Sequence, residues 1–99
     1  MEIGVSKLLD VSTRHIKQNT AKMLDADWAL PHLIRYPKGG YGWFILVYNV
    51  TSVGYDDLPQ DLAGILRYAE AHGCDWVILD SDGYVHSELP TYEETWESD

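Results

Sequence analysis

Ninety-nine residues, 45% hydrophobic and 23% charged, make a single domain spanning residues 1–99 and exclude a deep cleft between domains. A formal net charge of −9 repels a phosphate backbone and favours basic proteins as partners, because the summed field steers association. One cysteine, Cys74, excludes an internal disulfide, and no apolar run is long enough to cross a bilayer. The start MEIGVSKLLDVS lacks the basic head and apolar stretch of a signal peptide, so a cytoplasmic protein without membrane association is expected.

The charge is unevenly placed. Residues 1–38 carry six basic side chains against four acids, whereas residues 39–99 carry only Arg67 against twelve acids. In chain order, Lys7 to Val11 suits a first strand, and Ser12 or Thr13 offers the side-chain oxygen of a helix cap. The spacing then predicts a helix over 13–25, with Ile16, Thr20, Met23 and Leu24 on one face. Leu33 to Tyr36 reads as a second strand, and Pro37-Lys38-Gly39-Gly40 as a turn.

YGWFILVY, residues 41–48, is the strongest strand signal. Trp43, Ile45 and Val47 alternate with Phe44, Leu46 and Tyr48, so both faces are apolar, and a central strand is expected, covered on one side and partly shielded on the other. Pro59 suits a first helical turn, Leu62, Ile65, Leu66 and Ala69 form a helical stripe, and Gly73 ends it. Asp75 to Asp80 reads as a buried strand, Ser81-Asp82-Gly83 as a hairpin bend, and Tyr84 to Ser87 as a return strand. Residues 88–99 form an acidic, aromatic tail in which Thr91 and Glu94 have the spacing of a capping box. The expected class is α+β, a two-layer sandwich in the order β-α-β-β-α-β-β. Its first six elements follow the ferredoxin-like, split βαβ pattern, with another strand order in the same two layers as the alternative.

STRHI at 12–16, YGWF at 41–44, DDLPQDL at 56–62 and GCDWVILDSDG at 73–83 together resemble a small uncharacterised bacterial domain family found on plasmids and other mobile elements. That resemblance implies a mobile-element context, in which small acidic proteins block host defence complexes, and it transfers no functional residues.

Asp80 and Asp82 sit in a hydrophobic-strand, Asp-x-Asp-Gly string like that of haloacid-dehalogenase-type phosphotransferases, where one aspartate attacks phosphorus and the other moves a proton. No basic residue follows Gly83 to offset phosphate charge, so a structural bend is the plainer reading. The same run does not match an EF-hand, because Gly83 and Glu88 fall at the wrong positions. Cys74 follows a helix end and precedes Asp75, both of which disfavour a thiolate. His15, His32, His72 and His86 lack metal-ligand spacing, KGGYG lacks the context of a phosphate loop, and neither metal nor cofactor is expected.

Two features exceed the needs of a plain core: aromatic side chains in expected loops and edges, and the acidic excess. The candidate partner-binding residues are therefore Asp56, Asp57, Asp61, Asp80, Asp82, Glu88, Glu93 and Glu94, with Tyr55, Tyr84, Tyr92 and Trp96 as anchors. Carboxylates along one side could be spaced like backbone phosphates and compete for a groove lined by lysine and arginine. The expectation is a non-enzymatic acidic module that occludes a basic protein or nucleoprotein complex, of the anti-CRISPR or anti-restriction kind. A metal-dependent phosphohydrolase using Asp80 and Asp82, and a structural or homodimerisation domain, are the alternatives.

Overall fold

The computed structural model describes residues 7–26, 30, 33–38, 42–47 and 58–92. Strand β1, Leu8–Ser12, leads into a 3-10 turn at Thr13–His15 and helix α1, Gln18–Asp25. Strands β2, Arg35–Pro37, and β3, Gly42–Leu46, follow, then helix α2, Gln60–Ala71, and strand β4, Trp76–Asp80. The class is α+β with a mixed four-stranded sheet. Its spatial order is β1-β4-β3-β2, with β1 parallel to β4 and the other neighbours antiparallel.

A split βαβ unit holds its two strands parallel with a third between them. Here the strands joined by α2, β3 and β4, are direct antiparallel neighbours, from Gly42 opposite Asp80 to Leu46 opposite Trp76. The sheet thus takes the alternative expected order in place of the ferredoxin-like one. β4 has β1 on one edge and β3 on the other, so both of its rows of backbone groups are used.

One sheet face carries the core. Val11, Trp43, Ile45, Val77 and Leu79 pack with Ala21 and Leu24 of α1 and Leu62, Ile65, Leu66 and Ala69 of α2. The α2 stripe is the one its spacing predicts. Gly73, at a φ of 71°, ends the helix, with Gly73 N–H on Glu70 O at 3.0 Å and Cys74 N–H on Ala69 O at 2.8 Å. That paired bonding is the Schellman arrangement, which needs a left-handed residue at this place.

The expected helix over 13–25 is broken in two. Ser12 Oγ accepts Arg14 N–H at 3.1 Å and starts the 3-10 turn, and then Ile16 and Lys17 are extended, with ψ of 156° and 155°. Lys17 stands at the N-terminus of α1 without a capping side chain of its own. Asp61 of α2 supplies the cap: its carboxylate accepts Lys17 N–H at 2.7 Å and the Thr20 hydroxyl at 3.0 Å. The other end of α1 is closed by Arg35. Its guanidinium donates to the carbonyls of Leu24 at 2.8 Å, Ala26 at 2.6 Å, Leu30 at 3.0 Å and Leu33 at 3.1 Å. Helix-end carbonyls have no partners within the helix, and a planar fork serves several at once.

Two stability outcomes follow from these contacts. Asp61→Ala should cost about 1–3 kcal/mol, because it leaves a helix N–H and a buried hydroxyl unpaired, whereas Asp82→Ala at an exposed position should change stability by less than about 0.5 kcal/mol. Arg35→Lys keeps the charge but loses the fork and should also cost about 1–3 kcal/mol. Urea denaturation of each variant measures both.

Candidate functional site

The Asp80 end of β4 contains the local motif that draws attention in the sequence. One Asp80 oxygen, Oδ2, lies 2.5 Å from Lys38 Nζ, and the other, Oδ1, accepts Asp82 N–H at 2.9 Å. Lys38 pairs with Gly42 at the end of β2–β3, Gly42 lies opposite Asp80, and the lysine reaches across a position that has no side chain. The hydrogen bond from Lys38, then the Asp82 N–H, holds the Asp80 carboxyl below its ordinary value. The same bond, then the charge of Asp80, raises the Lys38 ammonium. The expectation that no positive charge serves this end is corrected: the cation comes from 42 residues earlier, brought by strand pairing.

The expected hairpin is corrected too. Residues 84–87 do not return along β4, whose edges are both taken. They lie along the free edge of β1 instead. Ser12 N–H donates to Tyr84 O at 2.8 Å, and His86 Nε2 donates to Asp10 O at 2.7 Å. His15, only 1% exposed, ties this segment down: its Nε2 accepts His86 N–H at 2.9 Å and its Nδ1 donates to Pro90 O at 2.8 Å. Two ring nitrogens in opposite roles define the neutral Nδ1–H tautomer. Gly83 lies so close to β1 that a Cβ there would stand 2.5 Å from Val11 O.

The predicted partner-binding residues separate into distinct environments. Asp61 is corrected: it is 7% exposed, and its carboxylate caps α1 inside the molecule. Asp80 is paired with Lys38. Asp82, Glu88 and Tyr84 are exposed, and Tyr92 is half-buried with Lys17 Nζ 5.4 Å from its ring centroid. Partial burial, then the nearby Glu88 carboxylate, raises the Tyr68 phenol. Tyr55, Asp56, Asp57, Glu93, Glu94 and Trp96 lie outside the described residues, as does the Glu94 half of the capping box.

A site that motif reading missed is the sheet face opposite the helices. Strand register arranges it in three rows. Leu8, Trp76, Leu46 and Ile34 form the first row; Asp10, Ile78, Phe44 and Tyr36 the second; Ser12, Asp80, Gly42 and Lys38 the third. The first two rows are apolar except for Asp10. Leu8 is 50% exposed, Tyr36 55%, and Ile34 38%. Leu8, Trp76, Phe44 and Tyr36 line an open groove of about 430 Å³ that crosses all four strands, with the Tyr36 and Trp76 rings 6.3 Å apart. The signal for this face was the doubled apolar alternation of YGWFILVY together with Trp76 and Ile78.

Both sheet edges are guarded. On β2 the residues whose backbone faces outward are Arg35 and Pro37, and Pro37 has no N–H to offer. On β1 the Ser12 N–H and the Asp10 C=O are occupied by the 84–86 segment. The sheet offers its face rather than an edge.

Residues 8–94, from β1 to the chain beyond β4, match the family described as "Family of unknown function (DUF5983) C-terminal domain". The chain belongs to the DUF5983 family. No curated protein and no solved structure matches it. In this DUF5983 domain no helix among the described residues is long and apolar enough to cross a membrane, and those residues contain no group of three or more histidine, cysteine or carboxylate side chains placed to hold a metal ion.

The Lys38–Asp80 pair gives a pH-dependent outcome with a definite sign. Asp80 has a folded pKa below its unfolded one, so its stabilising contribution is present above the ordinary carboxylate range and is lost as pH falls through the folded value. Lys38→Met should return the Asp80 carboxyl toward the ordinary range, read by carbon-detected NMR titration.

Proposed function

We propose that this DUF5983 domain is a non-enzymatic, acidic protein-binding module whose partner is basic. The observation that carries the reading is an aromatic and aliphatic sheet face left open on a domain of net charge −9. Exposed apolar patches of this kind mark interaction surfaces, and aromatic side chains are the usual anchors within them. Guarded edges support docking on the face, and the strong negative charge selects the sign of the partner. In a mobile-element setting the partner is a host protein or nucleoprotein with a nucleic-acid-binding surface, which the domain occludes. The domain itself does not bind nucleic acid.

The phosphohydrolase reading loses ground at Asp80. A nucleophilic carboxylate needs a free oxygen aimed at phosphorus, whereas both Asp80 oxygens are engaged, one by Lys38 and the other by the Asp82 backbone.

The test is to identify the basic protein that immobilised domain retains from bacterial extract and to measure the pair by calorimetry. Raising salt from about 50 to about 300 mM should weaken binding at least tenfold, and duplex DNA should compete. Charge reversal at Asp56 and Asp57, or at Glu93 and Glu94, should abolish binding. Salt-insensitive binding, or a partner that holds domain and DNA together, would sink the occlusion mechanism.

A further inference from the structure

We infer that the open sheet face seats an amphipathic α-helix of the basic partner, with a lysine or arginine of that helix meeting Asp10. This inference rests on the protein-binding reading and names the partner's chemistry.

The occupant must bring its own backbone hydrogen bonds. The first two rows present side chains alone, so a strand laid on the face would find no partners for its N–H and C=O groups. Unpaired backbone groups on an apolar surface are costly, which leaves a helix as the segment that fits. A helix there makes a third layer and covers the second face of the sheet as α1 and α2 cover the first.

Charge selects among helices. Asp10 stands exposed in the second row beside Ile78, one strand from the groove wall; its charge acts on Lys38 from a distance, but the ion pair of Lys38 is with Asp80. The Asp10 backbone is engaged through His86, which fixes its position in the sheet. An acid within an apolar face rejects an acidic or purely apolar segment, because its desolvation would go uncompensated, and accepts one that supplies a cation. Lys38, the only base in the three rows, is already paired with Asp80.

A second copy of the chain fits poorly. Each copy carries −9 and would bring Asp10 without a counter-charge.

The face is roughly 20 Å long, the length of a helix of about fourteen residues. The probe is therefore a fourteen-residue amidated Lys/Leu peptide with an amphipathic stripe, compared with a scrambled peptide of identical composition and with a Glu/Leu version. Calorimetry should give micromolar binding for the Lys/Leu helix and at least tenfold weaker binding for both comparators. Tyr36→Glu and Leu8→Glu, at exposed positions, should each weaken the helix at least tenfold with circular dichroism unchanged. Each variant adds negative charge, so a purely electrostatic attraction would strengthen. Asp10→Lys should weaken binding about tenfold, and Gln60→Glu, exposed on α2 and off the face, should leave it within about twofold.

Unchanged or tighter binding by Tyr36→Glu overturns the inference. So does equal binding of the scrambled peptide, or a dimer in light scattering that Tyr36→Glu disperses. If the helix fails on the face while the partner retained from extract still binds with strong salt dependence, the helix inference falls and the protein-binding reading stands. If no basic protein is retained either, both fall.

Discussion

β4 bonds through both of its edges, and most of the architecture follows from that. With β1 parallel on one side and β3 antiparallel on the other, no backbone group of β4 is left for a returning strand. The chain beyond Asp80 therefore crosses toward β1 at Gly83, where a side chain would strike the Val11 carbonyl, and continues along the outer edge of that strand. The buried His15 ring completes the attachment by bonding on both sides, to the His86 amide and the Pro90 carbonyl. An edge that could pair with another chain is covered, and the apolar sheet face stays open.

The acidic excess of residues 39–99 is less uniform in space than in sequence. Asp61 caps a helix inside the molecule, Asp80 holds Lys38, and Asp75 accepts the Lys7 N–H, so these acids serve the fold. Among the described residues of that stretch, Glu70, Asp82 and Glu88 are exposed. Docking on this domain consequently divides between two physical sources. Overall charge governs long-range attraction and the sign of the partner, whereas Trp76, Phe44, Tyr36 and Leu8 supply the short-range contact that a phosphate mimic would lack.

Arg35 and Asp61 show how the two ends of one short helix depend on residues distant in the chain. α1 has eight residues, too few to be stable in isolation, and Lys17 cannot cap it. A carboxylate from α2 at one end and a guanidinium from β2 at the other satisfy its free groups. The first contact binds α1 to α2, and the second binds it to the sheet.

Periodicity along the chain determined a good deal. The α2 stripe, its stop at Gly73, the strands at β1, β3 and β4, and the inward set Trp43, Ile45 and Val47 all express local rules of spacing and backbone freedom, which act over a few residues and need no partner. Strand order, the pairing of Asp80 with Lys38, the inward turn of Asp61 and the fate of the 84–87 segment were decided only by tertiary structure. Each depends on which backbone edge is vacant or which charge arrives from about forty residues away or more, and one sequence contains no term for that. The apolar alternation on both sides of β3 lay between the two. Its presence was legible from residue types, but whether a layer covered the second face depended on where the helices packed.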